Sequence, residues 1–282
     1  MSEKIDCLGL GIMPLDILLE IPSFPELGGK RNATDMIVQG GGPVPNTMIG
    51  LARLGLKTAV IAAVGDDFVG RESRLELRKE KVDDRFLVTK RGRSDLAAGY
   101  VEQGSGRRTI VLHRKIRVTP RDLRTGDYPI PRLVHLDGRD VPASVKLARW
   151  GRKVGAIVAF DIGSMRNEVA PLLPLVDQLV VADAFALPYT GSRTTAAAVI
   201  KLARLWPGTV SGTEGTRGRT ARGHGRSGTK TQDPMAHANA RGLAGGRRNL
   251  AFRGPRGVVG RCRAACDADY VVAAAGGRGG RC

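Results

Sequence analysis

The residues best suited to chemistry fall in one run: Gly40-Gly41-Gly42, then Asn46, then Leu51-Ala52-Arg53-Leu54-Gly55 and Val64-Gly65-Asp66-Asp67. Three consecutive glycines let the backbone approach a ligand where any Cβ would clash, and a helix starting just after them aims its free N–H groups back at the turn. The Asn46 amide both donates and accepts, which suits sugar hydroxyls. These residues point to ligand binding by close backbone contact, although a tight strand-to-helix connection would use the same glycines. Upstream, Asp16 follows Pro14, where a lone aspartate by itself would be a turn or cap residue.

The elements that must position these groups alternate as in a parallel sheet with crossover helices. Residues 5–12 and 57–64 are short, apolar and glycine-ended, and read as buried strands flanking a helix from Asn46 to Leu54; Cys7 is read as a buried strand residue. Asp16 to Glu20, Thr34 to Gln39, Ala97 to Gln103 and Arg108 to Leu112 read as strands with more polar partners, the last two joined by a Gly104-Ser105-Gly106 turn, and together form a small sheet. Further strands are predicted at Leu133 to Leu136, Val154 to Asp161 and Gln178 to Ala182, and helices at Ser144 to Trp150, Asn167 to Leu173 and Thr194 to Leu205. Asp137 and Asp161 stand at strand ends, the usual ligand edge of open α/β sheets, where a turn or capping role is the first reading for each. His113 and His135 read as satisfied structural histidines, Arg107 and Arg108 as surface residues of the hairpin, and Arg114-Lys115-Ile116-Arg117 as a solvated connection.

Leu8-Gly9-Leu10-Gly11, Asp16, the bridge Ile21-Pro22-Ser23-Phe24-Pro25-Glu26-Leu27-Gly28-Gly29 and the run from Gly40 to Asp67 together resemble the PfkB (ribokinase-like) family of ATP-dependent sugar kinases. The resemblance covers about residues 5 to 215. It implies an α/β fold, a ribokinase-like three-layer αβα sandwich around a mostly parallel sheet, with a small β-sheet lid formed from about 16–39 and 97–112. It further implies phosphoryl transfer from ATP, with Mg2+, to a sugar hydroxyl, the lid closing to exclude water. By that resemblance Asp16, Gly41, Gly42 and Asn46 contact the substrate, Thr213, Glu214 and Gly215 border the nucleotide, and lid strands could pair two copies into a homodimer.

Two family elements are missing from the chain. The Gly-Ala-Gly-Asp segment that supplies base and anion hole occurs nowhere, and where an Asn-x-x-Glu is expected, Ala182 to Phe185 offers only Asp183 before Leu187-Pro188-Tyr189-Thr190-Gly191. The catalytic base is therefore unassigned and turnover is expected to be impaired.

The net charge of +18 is unevenly spread: residues 216–282 hold 14 Lys and Arg against 3 Asp and no Glu, leaving +7 for the first 215. That segment has no Ile or Trp and only two Leu, so it cannot bury much apolar surface. We read 1–215 as a truncated ribokinase-like domain and 216–282 as an aberrant or disordered tail. The favoured origin of the tail is a disrupted reading frame, with an Arg-Gly nucleic-acid-binding extension or a partnerless disordered tail as alternatives. Nucleic acid is not the expected partner, because only Phe252 and Tyr270 could interleave with the basic residues. No zinc site is expected from Cys262, Cys266, His224 and His237, whose spacing matches no usual pairing. No apolar run reaches the roughly 18 residues of a membrane span, and the polar start is unlike a signal peptide, so a cytoplasmic protein is expected.

Overall fold

The computed structural model describes residues 4–206, 208–214, 219–223, 252–253 and 259–260 of the chain. Strand β1 (Lys4–Leu10) leads through a turn to β2 (Leu15–Ile21) and β3 (Asp35–Gly40), followed by helix α1 (Pro43–Arg53), β4 (Thr58–Ile61) and β5 (Ala63–Gly65). Helix α2 (Phe68–Lys79), β6 (Val88–Lys90), β7 (Leu96–Glu102) and β8 (Arg108–His113) come next, then β9 (Ile130–Leu136), α3 (Val141–Lys153) and β10 (Ile157–Ile162). The last long elements are β11 (Gln178–Ala182), α4 (Asp183–Thr190), α5 (Thr195–Leu205), β12 (Thr209–Thr213) and β13 (Arg219–Gly223).

The main sheet has seven strands in the order β13-β12-β11-β10-β9-β1-β4, all parallel except the antiparallel edge strand β13. The sheet thus takes one more strand past the boundary expected at residue 215. Alternate side chains leave opposite faces, as the two-residue strand period requires. One face presents Leu8, Val134, Val158, Phe160 and Leu179 to α3, α4 and α5, whose Leu147, Phe185 and Leu202 are buried there. The other presents Cys7, Val60 and Leu133 to Val44, Met48 and Leu51 of α1 and Leu77 of α2. Burial on both sides explains why these strands are continuous apolar runs rather than alternating ones.

Strands β2, β3, β7 and β8 form a separate four-stranded sheet in the order β3-β2-β7-β8. Gly104 (φ 73°) and Gly106 (φ 66°) turn the chain between β7 and β8 in a conformation that residues with a Cβ rarely adopt.

Two of the expected elements need correction. The helix expected from Asn167 to Leu173 is instead two short 3-10 turns, Asn167–Val169 and Leu173–Leu175; Pro171 and Pro174 lack N–H donors and disfavour helical geometry at the residue before them. Residues 154–156 belong to the turn that ends α3, with Gly155 at φ 83°, so β10 begins only at Ile157. Helix α2 was not foreseen. Its buried positions are Gly70, Ser73 and Leu77, so its inward face carries one apolar side chain and a weak periodic signal.

Candidate functional site

The glycine run sits where the lid joins the body. The Gly41 N–H donates to the Pro14 carbonyl at 2.8 Å and the Leu15 N–H to the Asp95 carbonyl at 3.0 Å, fixing the start of β2. In the lid, Asp16 is paired across to Gln39 and Ala97. Its carboxylate lies against Gly41, in space that a Cβ there would need. Gly42 is held at φ 98°, and a Cβ on it would meet the Ile12 carbonyl. On the far side of the run, Glu76 of α2 fills the space beside Gly40.

Burial raises the Asp16 carboxyl to about 6; the Arg108 guanidinium lowers it and the Glu76 carboxylate raises it further. Glu76 is raised as well, first by burial. Two carboxylates with weakened acidity thus flank the glycines.

The start of α1 differs from the expectation of several free N–H donors. Pro43 and Pro45 have none, and the Asn46 N–H already donates to the Gly42 carbonyl at 3.2 Å. The first turn is therefore a poor cradle for an anion, whereas the exposed Asn46 side chain leaves its amide available to hydroxyls.

The Gly65-Asp66-Asp67 segment fastens the base of the lid. Asp67 caps α2 by accepting from the Gly70 N–H at 2.9 Å, and it accepts from the Ser94 hydroxyl at 2.6 Å and the Ser94 N–H at 2.9 Å. The Ser94 hydroxyl in turn accepts from the Gly65 N–H at 2.8 Å, and Asp66 accepts from the Gly92 N–H at 2.8 Å. Burial acts to raise the Asp67 carboxyl, but the Ser94 hydroxyl and the backbone donors hold it below its ordinary value.

Asp137, buried at the end of β9, accepts from the Ile12 N–H and the Arg139 N–H, both at 2.9 Å, so its turn role holds. His135 is buried but not satisfied: neither ring nitrogen has a hydrogen-bond partner among the described residues, and burial lowers it to about 4, keeping it neutral. His113 is exposed at the end of β8. The run from Arg114 to Arg117 is not a solvated connection, because Ile116 is in the core and the Arg114 side chain, 11% exposed, pairs with Asp95 and Asp140. Arg107 is a surface residue paired with Glu102 at 2.9 Å.

On the nucleotide side, Thr213 ends β12 and Glu214 follows it, both half-buried; Gly215 lies outside the described residues, as do Cys262, Cys266, His224 and His237. The Asp183 carboxylate accepts from the Ala184 N–H at 2.7 Å at the start of α4. The stretch from Ala182 to Phe185 offers one carboxylate, Asp183, where a magnesium site uses one or two together with substrate phosphates. Among the described residues no three His, Cys, Asp or Glu cluster as metal ligands.

A mostly parallel seven-stranded sheet covered by helices on both faces, with a separate four-stranded sheet whose aspartate lies against a glycine turn, is the ribokinase-like α/β fold. Residues 2–123 match the model of the pfkB family carbohydrate kinase. The chain is 27% identical over 165 residues to a nucleoside kinase of Methanothermobacter thermautotrophicus, covering 58% of this chain and 53% of that one. It is 24% identical over 164 residues to an ATP-dependent ribose-1-phosphate kinase of Halopiger xanaduensis, covering 55% and 53%. It thus spans about half the length of the curated relatives it matches. Its fold superposes on Arabidopsis thaliana ribokinase complexed with ribose and ATP with a TM-score of 0.62 and 20% identity, covering 79% of this chain and 76% of that one.

Among the described residues no helix is long and apolar enough to cross a membrane.

Proposed function

We propose that the chain is built on an ATP-dependent sugar kinase and binds a sugar or sugar-like alcohol through Asp16, Gly41, Gly42 and Asn46. The observation that carries this reading is the Asp16 carboxylate, on lid strand β2, set against Gly41, where a ligand would meet backbone and carboxylate together. Asp16 accepts from substrate hydroxyls, Asn46 donates to or accepts from others, and Gly41 and Gly42 allow the sugar carbons to approach the main chain. Leu18, Ile37 and Ile110, on the same lid face as Asp16, supply an apolar cover that excludes water. ATP, bordered by Thr213 to Gly215, would supply the phosphoryl group.

By the same reading residues 1–215 form the kinase-derived unit, and the segment 216–282, whose β13 adds to the edge of that unit's sheet, is an aberrant tail from a disrupted frame. A kinase of this chemistry needs a base beside the attacking hydroxyl. The chain has no Gly-Ala-Gly-Asp, so we expect sugar binding with little turnover; a non-catalytic sugar-binding protein is the second reading, favoured by that same missing segment. A phosphorylation assay across pentoses, hexoses and nucleosides tests this, and turnover at an ordinary metabolic rate of 1 s⁻¹ or more would contradict it. The coding DNA tests the frame: a one-base shift should restore a Gly-Ala-Gly-Asp segment.

The lid face opposite Asp16 exposes Met36, Val38, Tyr100 and Val111, and through this face two copies would pair.

A further inference from the structure

The root of the lid is tied to the body by three charged side chains that water scarcely reaches. The last rung of the β7–β8 ladder joins Leu96 to His113, which brings Asp95 and Arg114 next to each other where the two strands leave the lid. The Arg114 Nε lies 3.5 Å from Asp95, and its Nη2 pairs with Asp140 at the start of α3; the side chains of Asp95, Arg114 and Asp140 are 3%, 11% and 5% exposed. Backbone donors complete the tie. The Lys115 N–H reaches Asp95 at 3.3 Å, the Val118 N–H reaches Asp140 at 2.9 Å, and Arg114 Nη1 donates to the Arg139 carbonyl at 3.2 Å.

This arrangement is costly. Burial raises the Asp95 carboxyl, with the Arg114 charge opposing it, and a buried ionic group is seldom more stabilising than apolar side chains of the same volume. Asp140 also stands at the N-cap of α3, where an aspartate usually caps, yet its side chain makes no capping hydrogen bond. Both carboxylates are spent on fixing where the lid leaves the body.

Their connections lead to the glycine turn from two directions. On the lid side, the Asp95 carbonyl accepts from the Leu15 N–H at 3.0 Å, and the next residue, Asp16, pairs with Ala97 of β7. On the body side, Asp137 holds the Ile12 N–H at 2.9 Å, and the Ile12 carbonyl lies against Gly42. The short segment 137–140 at the end of β9 therefore anchors both halves of the Asp16–Gly41 contact, the turn through Asp137 and the lid through Asp140.

We propose that Asp140 and Arg114 are positioning residues, which act through Asp95 to hold the lid root so that Asp16 stands against Gly41. The inference rests on the sugar site proposed above, in which Asp16 meets the ligand.

Amide hydrogen exchange by NMR, with calorimetric titration of ribose, fructose and adenosine, tests this on the full chain. Arg114→Met leaves two buried carboxylates without their cation and risks unfolding, so the uncharged triple variant Asp95→Asn, Arg114→Met, Asp140→Asn is measured beside it. Expected in whichever variant folds is exchange at Leu15 and Lys115 faster by at least about tenfold, with Leu8 and Val134 of the main sheet unchanged. The tightest-bound of the three ligands should bind at least about fivefold more weakly, because the lid is no longer preorganised. Parental exchange at Leu15 and Lys115, equal acceleration throughout the main sheet, or parental ligand affinity would overturn the proposal. If the parent binds none of the three ligands, the sugar reading fails, and the exchange at Leu15 and Lys115 alone decides the tie.

Discussion

The Asp16 carboxylate occupies the volume that a Cβ on Gly41 would fill, so an acidic side chain of the lid and the glycine turn of the body are fitted to each other. Gly41→Ala must push Asp16 away from this position. We expect Gly41→Ala to weaken sugar binding at least about tenfold, with a folded lid still visible by circular dichroism. Retained affinity would show that the turn does not shape the pocket.

The raised carboxyl of Asp16 gives a pH signature. Between pH 3.8 and about 6 the folded chain holds a proton that the unfolded chain has released, so this residue's contribution falls as pH rises and is fully unfavourable above 6. Asp16→Asn should therefore be more stable than the parent above pH 6, by roughly 1 kcal/mol once partial exposure is allowed for, and the gap should close near pH 4. Thermal melts at pH 4, 6 and 8 measure it. Glu76→Gln should move the midpoint of this effect to lower pH, because the Glu76 charge raises Asp16.

Asp67 behaves oppositely. Its carboxyl is held below the ordinary value, so its stabilisation is present at neutral pH and is lost as pH falls through and below the usual carboxylate range. Asp67→Ala removes the α2 cap and both contacts to Ser94 and should cost about 1–2 kcal/mol at pH 7 in urea unfolding. Ser94→Ala should cost less, and the two losses should not add, because they share one hydrogen bond.

The lid's outer face offers a separate test. If Met36, Val38, Tyr100 and Val111 pair two copies, Val111→Glu should shift sedimentation from dimer to monomer. A parent chain that sediments as a monomer would contradict pairing through this face.

Much of this architecture was legible in the residues. Doubly buried strands such as β1 and β9 announce themselves as apolar runs ending in glycine or aspartate, and the lid strands by their hairpin glycines. Helix α2 was not, because Gly70 and Ser73 on its buried face carry no hydrophobic signal; Asp67 followed three residues later by a helical N–H was the available clue. Of the site, the glycine turn was visible, since close approach leaves no other residue type. The contribution of Glu76 was invisible: it reaches the glycine run from another element, and one-dimensional spacing carries no record of that approach. Arg114 was seen but read as solvated, although Asp95 and Asp140, 19 residues before and 26 after it in the chain, bury it.

The most direct test is isothermal titration of the parent and Asp16→Ala chains with one panel of pentoses, hexoses, nucleosides and their phosphates. The account predicts at least one ligand bound by the parent and bound at least about tenfold more weakly by Asp16→Ala. Equal binding of every ligand by the two chains, or binding by neither, would contradict it.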